Sequence, residues 1–105
     1  MQIVTWDLAP LDGAPGVRMA EVLDAVGIGR ARVHLADLDA GSCLPRHPAG
    51  LDQTFVVLTG SGRVAGEDDV PVPVGPGDVV RWRVGEQHTS WADGPMRVLI
   101  VQHGG

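Results

Sequence analysis

Turn-forming residues interrupt this chain every ~8–12 residues, and the runs between them are short, Val-rich and alternating, the punctuation of an antiparallel β domain. The 15 glycines and 8 prolines responsible are scattered along the 105 residues, so they mark tight turns. A chain of this length supports one domain with one core, read over residues 1–105 without internal repeat or linker. The class is all-β, a sandwich or barrel.

In order along the chain, MQIVTWDL at residues 1–8 alternates as a strand, with Ile3 and Thr5 on one face and Val4 and Trp6 on the other. APLDGAPG after it reads as a loop. In Val17 to Gly29, Met19, Val22, Leu23 and Val26 recur at helical spacing, whereas Gly27 and Gly29 favour strand and turn, and strand is the expectation. Arg32 to Asp39 alternates again, placing His34, Ala36 and Leu38 on one face; His34 is read as a partly exposed or hydrogen-bonded strand histidine.

Gly41 to Asp52 is rich in Gly, Pro and short polar residues and reads as loop, leading into a strand at Gln53 to Thr59 that Gly60 closes. Ser61-Gly62 is expected to turn that strand back as a tight hairpin onto RVAG. In VPVPV, Pro71 and Pro73 lack an N–H, which consigns the segment to a sheet edge or irregular pairing. VVRWRV at Val79 to Val84, TSWA at residues 89–92 and MRVLIVQ at residues 96–102 complete the strands.

Strand alternation puts Gln53, Phe55 and Val57 on one face, headed by a polar amide. His47 lies just upstream, where a return of the chain would bring its imidazole beside Gln53. By the same alternation Trp91 lies opposite His88 and Ser90, outside any lumen they face.

These spacings resemble the two conserved motifs of the cupin superfamily. Gly41, His47, Gln53 and Gly60 fall on positions of the first, with Ala49 where a second His belongs and Gln53 in place of Glu. Gly77, Gly85 and His88 fall on the second, with Arg83 in a proline slot and Ala92 in an asparagine slot. The resemblance covers roughly residues 33–101 and implies a small jelly-roll β-barrel, with residues 1–30 as an N-terminal strand segment and 31–103 as the barrel.

It further implies that His47, Gln53 and His88 converge inside one end of the barrel, with Phe55 and Trp82 lining the same ligand pocket. In metal-bearing members that place holds three histidines and a glutamate around Fe, Mn, Ni, Cu or Zn. An amide oxygen is a weaker, neutral ligand than a carboxylate, and Ala49 offers none. The first expectation is accordingly a small-molecule-binding barrel, metal-free or with an atypical His47, Gln53 and His88 site. The alternative is a metal-dependent enzyme, a dioxygenase or a cyclase or isomerase of a small aromatic or ketide substrate; a third is a packed structural module. A metal-independent isomerase of the sugar-epimerase type is disfavoured, because the chain has no tyrosine to partner a catalytic His.

A formal charge of −5 without a cationic cluster speaks against nucleic acid or an anionic membrane as partner. No apolar run approaches the ~20 residues of a membrane span. The lone Cys43 is read as structural and fits a reducing, cytoplasmic setting. A homodimer is expected, since sheet edges invite pairing and a subunit contact would bury Trp91.

Overall fold

The computed structural model describes residues 1–3, 5, 7–25 and 31–104. Ten strands make up the fold, and no helix occurs among the described residues: β1 Ala9–Pro10, β2 Val17–Ala25, β3 Ala31–Leu38, β4 Cys43–Pro48, β5 Asp52–Thr59, β6 Gly62–Ala65, β7 Val72–Val74, β8 Val79–Trp82, β9 Gln87–Ala92 and β10 Met96–His103. They form a six-stranded sheet in the order β1-β2-β3-β10-β5-β8 and a four-stranded sheet in the order β4-β9-β6-β7. Every pairing is antiparallel. The two sheets enclose one core, giving the all-β jelly-roll architecture expected from the sequence. Among the described residues no helix is long and apolar enough to cross a membrane.

The inward side chains of the large sheet stack in layers fixed by the register. Val17, Leu38 and Met96 lie side by side at one end; Met19, Ala36, Val98 and Val57 come next. His34, Ile100, Phe55 and Val80 follow, and then Arg32, Gln102, Gln53 and Trp82. Because alternate residues share a face, β3, β5 and β10 each carry their inner face from apolar to polar along their length. The apolar layers make the core, and the polar end makes a lumen.

Four sequence expectations are corrected. The described residues of 1–8 form no ladder, Val4 and Trp6 lying outside the described set, and the first strand is the two-residue β1 within the stretch expected as loop. An alternating pattern supplies faces but no hydrogen-bonding partner, and no strand pairs with the described residues of this stretch. The expected loop at Gly41 to Asp52 contains β4, which tolerates Pro45 and Pro48 because it is an edge strand paired only with β9. Its register slips between Leu44 and His47, around Pro45.

The expected hairpin between β5 and RVAG does not form, since β5 and β6 belong to different sheets. Gly60, at φ 82°, carries the chain across from one sheet to the other. A β-carbon there would sit 2.1 Å from the Pro95 carbonyl oxygen, so the crossing requires glycine. The Val17 to Gly29 strand is present as β2 to Ala25; residues 26–30 lie outside the described set. β7 is the edge strand its prolines imply.

Candidate functional site

His47 on β4 and His88 on β9 are directly opposite each other in the ladder, with ring centroids 4.2 Å apart and planes tilted by 59°. Each ring gives Nδ1–H to a backbone carbonyl: His47 to Pro45 at 2.6 Å and His88 to Glu86 at 3.3 Å. A carbonyl only accepts, so the proton of each neutral ring resides on Nδ1 and each Nε2 presents a lone pair. His88 is 2% exposed, and its Nε2 is buried without a hydrogen-bond partner. Such an orphan costs the free protein stability unless a ligand or water supplies a donor.

Burial holds the His88 pKa below its ordinary value; the Glu86 carbonyl partly offsets this, and the neighbouring His47 adds to it. Trp82, itself 4% exposed, stacks on His88 at 4.5 Å and meets Phe55 edge-on at 5.6 Å. This aromatic backing fixes the imidazole from behind.

The two histidines open onto a cavity of about 320 Å³. Gln53, Ser90, His34, Arg32 and Gln102 give it polar groups, and Leu11, Met19, Leu44 and Ile100 give it an apolar wall. Gln53 is buried and reaches the cavity from β5, so the structure brings together His47, Gln53 and His88. Phe55 is wholly buried in the core and forms none of the cavity wall, and Trp82 likewise stands behind His88.

His34 and Gln102, both half-buried, the buried Ser90 and the exposed Arg32 also line the lumen, none of them among the pocket residues expected from sequence. The signal was available for His34, which shares its face with the fully buried Ala36 and Leu38. Trp91 lies on the opposite face from His88, half-buried beneath the Arg63 guanidinium at 5.4 Å. A larger and shallower cleft of about 530 Å³ runs along the β7 and β8 edges, lined by Val70, Val72 and Val79, and holds no imidazole.

As a metal site this constellation falls short. Among the described residues no three His, Cys, Asp or Glu side chains gather closely enough to hold an ion. The donors that meet are the His47 and His88 imidazoles and the neutral Gln53 amide; His34 lines the same cavity without clustering with them, and buried Ala49 stands where the resemblance implies a further imidazole. Without a carboxylate the charge of a divalent ion goes uncompensated in a low-dielectric lumen. The residues do not fit the three-histidine, one-glutamate centre implied by the resemblance.

The family model described as the cupin domain matches residues 33–102. A comparison with curated proteins gives no match. Among solved structures, a predicted oxalate decarboxylase from Thermotoga maritima is 26% identical over 87% of this chain and 84% of its own, with a TM-score of 0.76. The polyketide cyclase RemF from Streptomyces resistomycificus is 22% identical over 98% of this chain and 79% of its own, with a TM-score of 0.79. A cupin-2 domain protein from Rhodospirillum rubrum is 15% identical over 99% of this chain and 75% of its own, with a TM-score of 0.81. The last two likenesses show a shared fold.

Proposed function

The chain belongs to the cupin domain family, and on that premise we propose that its lumen binds a small organic ligand that donates hydrogen bonds to His47 and His88. The buried, unpartnered Nε2 of His88 carries this reading. With their Nδ1–H groups already spent on carbonyls, the two rings offer adjacent Nε2 acceptors, which suit a ligand bearing neighbouring hydroxyl or amine groups. Gln53 donates or accepts beside them, and the apolar wall takes a hydrocarbon body. A cavity of about 320 Å³ matches a compact molecule.

The second reading, a metal-dependent enzyme acting on a small aromatic or ketide substrate, draws support from the same tautomers. Imidazoles that bind a metal through Nε2 also hand Nδ1–H to a carbonyl. The donor set opposes it, as set out above. In either case our reading is a cytoplasmic homodimer, supported by the single cysteine and by the apolar band on the outer sheet face. The −5 charge supports no nucleic-acid or anionic-membrane partner.

The test is a thermal-shift screen of catechols, vicinal diols and small amines against the wild type, His47→Ala and His88→Leu, with metal content measured on protein purified without chelator. Donor-bearing compounds raise the wild-type melting temperature and leave both variants unmoved. Compounds that shift all three alike overturn the reading. Near one equivalent of a transition metal, lost in both variants, makes the enzyme reading primary.

A further inference from the structure

Four arginines, Arg18, Arg46, Arg63 and Arg97, hold Asp or Glu partners at 2.6–3.8 Å. Arg81 and Arg83 have no acidic partner among the described residues, although acidic side chains outnumber basic ones 13 to 8. Both line a separate cavity of about 310 Å³, together with Thr54, His103, Asp52 and Gln53. Side-chain alternation puts the two arginines on the same side of the chain around Trp82, and the register sets Arg81 directly across from Thr54. Thr54 Oγ1 and His103 Nε2 lie 3.3 Å apart, so the wall carries two guanidiniums, a hydroxyl and an imidazole on three adjacent strands.

Asp52 does not neutralise this set fully. Its carboxylate accepts the Val84 N–H at 2.9 Å, and the two guanidiniums leave one net positive charge in the wall. Gln53 lines both this cavity and the lumen. We propose that this cavity is an oxyanion subsite that binds the carboxylate of a small organic acid. Guanidinium forks match a planar carboxylate in bidentate fashion, and one net charge balances a monoanion better than a dianionic phosphate. The inference is independent of what occupies the lumen.

The test is an NMR titration of ¹⁵N-labelled protein with sodium benzoate, inorganic phosphate and sodium chloride at matched ionic strength. Benzoate is expected to move the Thr54, Arg81 and Arg83 amides saturably, whereas chloride does not. Arg81→Gln with Arg83→Gln together weaken benzoate by about tenfold or more, and Arg63→Gln leaves it unchanged. Equal shifts from chloride, an affinity unaltered in the double variant, or phosphate binding more tightly than benzoate each overturn the proposal. Because the arginines are exposed and unpaired, the double variant folds, and its amide spectrum verifies this directly.

Discussion

The His88 ring is stacked on Trp82, bonded through Nδ1 to the Glu86 carbonyl and left with an unanswered Nε2. Replacing it with a residue of similar bulk and no polar atoms removes that orphan, so His88→Leu is expected to raise stability by about 1 kcal/mol, measured by urea unfolding. A loss of that size instead would mean that the ring is already partnered in the free protein. The same substitution has a pH signature. The folded-state pKa is depressed below the ordinary 6.5, so the unfolded chain takes up a proton that the fold resists. This contribution leaves stability intact above the ordinary histidine value and erodes it as pH falls through that value toward the folded one. Urea midpoints of wild type and His88→Leu at about pH 7.5 and 5.5 should therefore diverge as acid is added, the variant losing less; parallel profiles would contradict it. Gln53→Glu tests the donor argument: a carboxylate beside two imidazoles should bring measurable zinc affinity by calorimetry, and destabilise the metal-free protein. No gain in zinc binding would show that Gln53 is not what withholds the ion. His47, Gln53 and His88 were legible because motif spacing singles them out along the chain. Arg32 and Gln102 were not, because alternation yields two faces per strand, and only the sheet assignment says which one looks inward.

At the scale of the element, the decisive feature is where strands change sheet. Gly60 ends β5 and delivers β6 to the opposite sheet, held between a positive φ and the Pro95 carbonyl. Gly60→Ala combines a left-handed backbone with a clash at 2.1 Å, and is expected to cost about 2–4 kcal/mol in urea unfolding. A change below about 0.5 kcal/mol would mean that the crossing adjusts freely. The neighbouring Gly62 is equally confined, because a β-carbon there would run into the Trp91 carbonyl, so β6 docks against β9 at a distance that only glycine allows. The sequence announced a turn here, because Ser-Gly after a β-branched run is a turn signal. It did not reveal that the turn crosses between sheets, since local residue chemistry sets a turn's shape while packing of distant strands sets its destination. β4 was hidden for a related reason. Two prolines in six residues read as a breaker, yet an edge strand needs only one side of its backbone paired, and β9 supplies that side. The interior strands β5 and β10, rich in β-branched residues, and the alternating β3 were plain from the pattern.

For the whole molecule, the outer face of the six-stranded sheet carries an apolar band. Ala20, Leu35, Leu99, Val56 and Val79 stand directly opposite one another across β2, β3, β10, β5 and β8, and so share the face turned away from the core. Val33 and Val101 pair in the adjoining row, and Leu58 and Val79 are 42% and 55% exposed. A sheet face open to water is ordinarily polar, and a continuous apolar band marks an interface. A flat band of aliphatic side chains is complementary to itself under a twofold axis laid along it, which makes a second copy its natural cover. On the far side of the band the Arg97–Asp37 ion pair, at 2.6 Å with Arg18 beside it, marks a polar rim. Analytical ultracentrifugation of the wild type should therefore show a dimer at micromolar concentration, and Leu99→Lys should weaken it by about a hundredfold or more. Because Leu99 lies outside the core, the variant keeps its fold, as its circular dichroism should confirm, and keeps the His88 lumen on the other side of the sheet. A wild type that sediments as a monomer, or a Leu99→Lys dimer of undiminished affinity, would mean that this face meets some other partner.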